Sequence, residues 1–161
     1  MHKYIIEDEQ RKCSDYSPGI ILNSEELYRI TLHPEHISST GEILPVAIST
    51  TDLESKGFSV ERKTYSNARS ICDLAAKQVN HKPTRDYAEI AKLKCETIRA
   101  MNYEQTQDRS FLVIDEALEK NIAHASIYSA VKMPTKSILR KLRIQLSPLL
   151  ENRIPLDSLT I

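Results

Sequence analysis

Glycine and long apolar runs are scarce in this chain of 161 residues. With three glycines, it has no glycine-rich loop of the kind that cradles a phosphate. No apolar run approaches the roughly 18–20 residues that span a bilayer, so we expect no membrane association. The N-terminus turns acidic soon after Lys3, which is not the pattern of a secretory signal peptide.

Cysteine is also scarce, and its spacing excludes two classes of small protein. Cys13, Cys72 and Cys95 are odd in number, far apart and outside any CxxC motif. A disulfide framework and a zinc site both need closer sets of ligands, so we expect reduced thiols and a cytoplasmic location. An HExxH motif and a nucleophile elbow are absent as well, and we predict neither a metal nor a cofactor.

The charges cancel overall but are unevenly distributed. Lysine and arginine total 22, as do aspartate and glutamate. Residues 1–60 carry 5 basic and 10 acidic side chains, whereas residues 131–161 carry 6 basic and 2 acidic ones. A zero net charge gives little long-range attraction for nucleic acid, which argues against that partner. A zero net charge also gives little repulsion between copies of the chain, so the sequence is compatible with a homo-oligomer.

Alternating apolar and polar residues predict several strands. The segment 27–32 alternates and should end at His33-Pro34, because a residue before proline is extended and proline cannot donate to a ladder. Pro45 limits 43–48 to an edge strand or a loop. Three further segments have the composition of strands: 58–62, 111–114 and 122–131.

Two helices are predicted from apolar residues at helical spacing. The first covers 67–79, with Ser66 as its expected N-cap. The second begins after Thr135 and stops at Pro148. Its apolar stripe consists of Ile138, Leu139, Leu142 and Leu146.

These elements predict an α+β protein with one compact domain over 1–161, containing a small mixed or antiparallel sheet, a central helix and a C-terminal amphipathic helix. The segment 86–101 fits either one helix or a strand over 87–93 followed by a helical turn. Residues 1–24 have weak periodicity and suggest a loosely packed leader. Residues 149–161 are apolar for a chain end and should pack on the domain or on a partner.

The last helix has a basic face opposite its apolar stripe. At 100° per residue, Lys136, Arg140 and Arg143 lie within about 60° of one another, and Ile144 lies beside Arg140. An apolar residue beside arginine on an exposed surface is typical of protein interfaces. The alternatives for this face are a solvated surface and phosphate contacts, although no aromatic set for base stacking accompanies it.

Arg29, His33 and His124 are the candidate catalytic or ligand-binding residues. Arg29 lies mid-strand among apolar residues, where a guanidinium must reach solvent or an acid. If the three side chains converge, the arginine would clamp a phosphate or carboxylate and a histidine would transfer protons. The alternative is structural, with Arg29 in an ion pair and His124 bonded to a backbone carbonyl.

The same part of the sequence offers two more specific chemistries. Tyr28-Arg29 resembles the strand with which ADP-ribosyltransferase-like folds hold a dinucleotide, and Ser49-Thr50-Thr51 is a loose match to a later strand of that site. No glutamate matches its catalytic carboxylate. His33 and His36 have an HxxH spacing, but nothing in the sequence identifies a third metal ligand.

Several of these motifs resemble a group of small bacterial proteins without an established activity. The matching residues are Tyr28-Arg29, His33-Pro34, Gly41 and the strand 58–60. Asn121-Ile122-Ala123-His124-Ala125 is similar to the group's Asn-Pro-Ala-His-Ala element, with isoleucine in place of its proline. The resemblance covers roughly 26–66 and 110–130 and implies a bacterial, cytoplasmic setting.

The sequence therefore favours a non-catalytic accessory or interaction protein of a bacterial multi-component system. We expect it to dock on a larger partner through the C-terminal helix and the apolar tail. The alternative is a small enzyme or a nucleotide- or anion-binding domain that uses Arg29, His33 and His124.

Overall fold

A computed structural model describes residues 3–104 and 106–159. The strands are β1 Glu26–His33, β2 Phe58–Arg62, β3 Tyr87–Lys94, β4 Phe111–Asp115, β5 His124–Ser129 and β6 Arg153–Pro155. The α-helices are α1 Ala68–Asn80, α2 Cys95–Ala100 and α3 Lys136–Leu146. All six strands pair antiparallel in the order β4-β5-β2-β1-β3-β6. The α+β class is therefore confirmed, with an antiparallel sheet.

The strand predictions hold for most of the sheet. Each strand expected from alternation or from an apolar run is present, with ends that shift by one or two residues. The ambiguous segment 86–101 is a strand followed directly by the short helix α2. The segment 43–48 is a loop with one 3-10 turn at Pro45–Ala47. The edge strand β6 was not predicted, because three residues are too few to show alternation.

Both predicted helices are present, with one correction to their caps. Thr135 caps α3, since its Oγ1 accepts a hydrogen bond of 3.2 Å from the Ile138 amide. Helix α1 is capped by Asn67 instead of Ser66: the Asn67 Oδ1 accepts from the Ser70 amide at 2.8 Å. The Ser66 hydroxyl is already used, because it donates to the Arg62 carbonyl at 2.8 Å. No helix of the described residues has the length and hydropathy needed to cross a membrane.

Three buried hydrophobic clusters, two large and one small, pack against the two faces of the sheet. One face carries Leu27 and Phe58 and is covered by the apolar stripe of α3, with Leu139, Leu142 and Leu146 buried. The other face carries Tyr28 and Ile30 and is covered by α1. Successive residues of a strand point to opposite faces, so this division follows directly from the alternation along β1.

The N-terminal segment is anchored to the sheet and is not a loosely packed leader. Glu9 is 4% exposed and lies between two arginines, with its Oε2 3.0 Å from Arg99 Nε and its Oε1 2.5 Å from Arg109 Nη1. Its Oε2 also accepts from the Val113 amide of β4 at 2.8 Å. Tyr4 and Cys13 also pack against the small hydrophobic cluster that contains Leu112 of β4. Because much of the anchoring is polar, hydrophobic periodicity in 1–24 is weak.

The described part of the apolar tail packs on this domain. Leu150 is buried in the core beneath α3, and β6 pairs with β3 at the edge of the sheet. Ile154 and Leu159 pack in the core beneath α1. Thr160 and Ile161, the last residues of the predicted tail, lie outside the described residues. Apolar surface on residues 149–159 therefore does not by itself call for a partner.

A buried arginine joins β2 to the segment that precedes β1. Arg62 is 1% exposed, and its Nε and Nη2 each donate to one Glu25 carboxylate oxygen at 2.8 Å. Its Nη1 and Nη2 also donate to the carbonyls of Gly19 and Ile20 at 2.7 and 3.0 Å. A buried guanidinium is tolerated only with such partners, because its transfer out of water is costly.

Replacing this arginine should destabilise the fold strongly. Arg62→Met leaves the Glu25 carboxylate and two carbonyls without their donor, and we expect a loss of about 3–5 kcal/mol in the free energy of unfolding. Urea denaturation followed by circular dichroism measures this loss. Arg69→Met is the control, because that side chain is 93% exposed and should change stability by less than about 0.5 kcal/mol. A loss for Arg62→Met as small as the control's would show that the buried pair is dispensable.

Candidate functional site

The sheet register separates the three predicted site residues. Tyr28 of β1 pairs with Glu61 of β2, and Glu61 pairs with His124 of β5, so these three share one face. Arg29 and His33 lie an odd number of residues from Tyr28 and point to the opposite face. Arg29, His33 and His124 therefore do not converge on one pocket, and the hypothesis of a three-residue site is wrong.

Arg29 is held by a carbonyl and an aromatic ring. Its Nη1 donates to the Ser59 carbonyl at 2.9 Å, and its guanidinium carbon lies 4.0 Å from the centre of the Phe58 ring. Its Nε is buried without a hydrogen-bond partner among the described residues. Burial lowers the pKa of Arg29 to about 10. No described carboxylate lies within ion-pair distance of this side chain, and Asp52 interacts with it only at longer range.

The surroundings of Arg29 also do not match an ADP-ribosyltransferase-like site. Ser49-Thr50-Thr51 lies in no strand and directly precedes the helical turn Asp52–Lys56. The loose sequence match to that site therefore has no counterpart in the sheet. Arg29 therefore makes a cation–π contact with the Phe58 ring and donates one hydrogen bond to the Ser59 carbonyl.

His33 belongs to a separate polar cluster at the end of β1. Its Nε2 lies 2.6 Å from Glu89 Oε1, and its ring stacks on Tyr87 with centroids 4.3 Å apart. Arg153 Nε approaches the same Glu89 oxygen at 3.4 Å. The cluster joins β1, β3 and β6, so its polar groups are already used to hold neighbouring strands together.

His36 is a buried histidine with a defined role in the backbone. It is 7% exposed, and its Nδ1 accepts a hydrogen bond of 3.1 Å from the Leu32 amide. Only a neutral imidazole can accept there. Burial, assisted by the positive charge of Arg29, lowers the pKa of His36 to about 4. The described residues contain no group of three or more side chains arranged to bind a metal ion at the HxxH spacing or elsewhere.

His124 lies beside a glutamate and an asparagine on the face covered by α1. Its Nδ1 is 3.7 Å from Glu61 Oε1, and the second carboxylate oxygen, Oε2, accepts from Asn121 Nδ2 at 2.9 Å. The Glu61 side chain is 8% exposed, whereas that of His124 is 19% exposed. The expected bond from His124 to a backbone carbonyl is replaced by this carboxylate contact.

Glu61 and Asn121 line an open cleft of about 310 Å³ between α1 and the loop that precedes β5. The other polar residues of the cleft are Ser70, Asp73, Lys77 and Lys120. We name it the Glu61 cleft. His124, a predicted site residue, adjoins this cleft through its contact with Glu61.

Glu61 was missed at the sequence level. It stands between Val60 and Arg62 in a strand, where an acidic residue ordinarily indicates a side chain that faces solvent. The signal that points to it is the Asn121…His124 spacing, because Asn121 and His124 both contact its carboxylate. Strand pairing between β2 and β5 brings the three together, and a single sequence does not reveal that pairing.

The basic face of α3 is arranged as the helical spacing predicted. Lys136 and Arg140 are exposed, Arg143 is half-buried, and Ile144 is 70% exposed. Among the described residues, no carboxylate lies within ion-pair distance of Lys136, Arg140 or Arg143. The neighbouring Lys141 differs, because its Nζ lies 2.7 Å from Glu104 Oε1. The Nε of Arg143 is enclosed without a hydrogen bond.

Comparisons of this chain with models of protein families, with curated proteins and with solved structures return no match. The resemblance to small bacterial proteins therefore stays a prediction.

The buried His36 should make stability depend on pH in a defined window. Its pKa rises from about 4 in the folded chain to the ordinary value of 6.5 on unfolding, so the unfolded chain binds more protons between these values. The His36 contribution is thus complete above about pH 6.5 and falls as the pH drops toward 4, by about 3 kcal/mol in all.

Urea unfolding across this pH range measures the effect. In His36→Asn the amide oxygen can replace Nδ1 as the acceptor for Leu32, so the slope between pH 6.5 and 4 should flatten. His81→Asn is the control, because His81 is exposed, and it should keep the wild-type slope. Equal slopes in all three proteins would contradict a neutral, buried His36.

Proposed function

We propose that this protein is a non-catalytic interaction subunit that docks on an acidic surface of a larger protein through the exposed face of α3. The observation that carries the proposal is the absence of described acid partners for Lys136, Arg140 and Arg143. Most buried charges elsewhere in the chain have their partners, as Arg62, Glu9 and Arg99 do. Other exposed lysines such as Lys77 and Lys120 also lack a described acid partner, but α3 differs because it groups its basic residues on one side of a helix beside the exposed Ile144.

Arg143 supports an acidic partner most directly. It is half-buried, and its Nε is enclosed without an acceptor among the described residues. A planar guanidinium that is already oriented loses little entropy when it binds a carboxylate with two parallel hydrogen bonds. The two Nη atoms of Arg143 are not enclosed, so they are the atoms that a partner carboxylate would reach.

Ile144 favours a protein over a nucleic acid as the partner. It is 70% exposed and lies on the same side of α3 as Arg140. Burying an isoleucine side chain contributes about 1.5–3 kcal/mol, and this gain requires an apolar surface opposite it. Phosphate backbones offer charge but no such surface, and the chain has no net positive charge to attract them.

The enzyme alternative has lost its geometric support. Arg29 and His33 lie on one face of the sheet and His124 on the other, so no single substrate can contact all three. The docking proposal does not depend on these residues. It also no longer depends on the tail, since residues 149–159 pack on the domain.

Charge reversal on α3 should abolish partner binding without unfolding the protein. The tagged full-length chain is used to capture proteins from nuclease-treated host lysate, and the captured set is quantified by mass spectrometry. We expect Arg140→Glu/Ile144→Asp to reduce capture of an acidic protein by about tenfold or more, equivalent to about 1.4 kcal/mol.

Lys12→Glu is the matched control, because Lys12 is exposed and the substitution makes the same charge change as Arg140→Glu. It should retain the partner at the wild-type level, and all three proteins should have the same thermal midpoint. A captured set that is identical for the wild type and the α3 variant would refute the proposal. A parallel capture from untreated lysate completes the test: a partner captured there but not from nuclease-treated lysate would refute the proposal too, since binding would then depend on nucleic acid.

A further inference from the structure

The Glu61 cleft holds a carboxylate oxygen that has no hydrogen bond within the described chain. Asn121 occupies Oε2, whereas Oε1 has His124 Nδ1 at 3.7 Å, within ion-pair range but beyond hydrogen-bond distance. Oε1 is not among the enclosed orphan atoms, so it keeps contact with solvent. A nearly buried acceptor that still faces an open cleft can receive a donor from a bound molecule.

The rim of the cleft carries the complementary charge. Lys77 and Lys120 line it, both are exposed, and neither forms an ion pair with a described carboxylate. Asp73 also lies on the rim, but it is 76% exposed and faces Arg69 at 4.0 Å. Glu61 and Asp73 balance Lys77 and Lys120, so the lining of the cleft has no net charge. Glu61 lies in the floor of the cleft, and the two lysines, which have no described ion-pair partner, lie at its edge.

We propose that the Glu61 cleft binds a small zwitterion, with its ammonium group on Glu61 Oε1 and its carboxylate or phosphate at Lys77 and Lys120. The lining is neutral overall, with its negative and positive charges at separate places. It therefore complements a ligand whose own opposite charges are separated, and it disfavours the binding of a simple anion or a simple amine. The volume of about 310 Å³ is at the lower end of the range of small-molecule sites. The ligand is thus an amino acid or a phosphorylated amino alcohol of a few heavy atoms.

Two neighbours prepare the floor of the cleft for this ligand. Asn121 fixes the carboxylate through Oε2, so Oε1 is presented in one orientation. His124 Nδ1 lies 3.7 Å from Oε1, and we assign it the role of a positioning residue for the carboxylate. A preoriented acceptor loses less entropy on binding than a free side chain does. The site is on the sheet face opposite α3, so it is independent of the proposed docking surface.

Nuclear magnetic resonance titration of the full-length chain tests the proposal. The probes are β-alanine and O-phosphoethanolamine, with propionate and propylamine as analogues that each lack one charge. We expect saturable shifts of the Glu61, Lys77 and Asn121 amides with a zwitterion, and affinities at least about tenfold weaker for both analogues. Binding by β-alanine would identify a carboxylate ligand, and binding by O-phosphoethanolamine alone a phosphate ligand.

Glu61→Gln separates the ligand contact from the structural one. Its amide oxygen can still accept from Asn121, so the fold should survive, but the charge that holds an ammonium is removed. Zwitterion binding should weaken by about tenfold or more, whereas Lys12→Gln should leave it unchanged. The proposal fails if neither zwitterion gives saturable shifts up to its solubility limit, if propionate binds equally well, or if Glu61→Gln binds like the wild type.

Discussion

The bidentate pair between Arg62 and Glu25 is the interaction on which the rest of the structure depends. It lies where three parts of the chain meet: the end of β2, the residue that precedes β1, and the carbonyls of Gly19 and Ile20. A buried guanidinium accepts only a narrow set of partner positions. The pair therefore sets how the N-terminal segment reaches the central strand.

The register of β1 has the next largest consequence. Once Leu27 is opposite Arg62 and Tyr28 opposite Glu61, every side chain of the strand has its face assigned. A slip of one residue would move Arg29 into the core beneath α1 and Tyr28 out of it. The same register carries Glu61 to His124 and leaves Arg29 on the other side. It thereby creates the Glu61 cleft and excludes a site that combines Arg29 with His124.

The two faces of the sheet also keep the two proposed surfaces apart. Helix α3 covers the face of Leu27 with its apolar stripe and presents its basic side outward. Helix α1 covers the face of Tyr28, and the Glu61 cleft opens beside it. A ligand in the cleft and a partner on α3 would not compete for the same groups. Any coupling between them would have to pass through β2, to which both faces belong.

Elements that depend on local periodicity and short-range capping could be predicted from the amino-acid sequence alone. The alternation of β1, the apolar run of β4, the Thr135 cap and the two sides of α3 were all readable, because each depends on residues fewer than about five positions apart. Which distant residues meet follows from the folded arrangement of the chain. Strand pairing joins Glu61 to His124 across 63 positions of sequence. Side-chain ion pairs join Glu9 to Arg99 and Arg109 across even longer separations, and both kinds of contact depend on how the strands and the segments beside them are arranged. Polar anchors such as Glu9 and Arg62 leave no periodic pattern, so their burial appears only when the chain is folded.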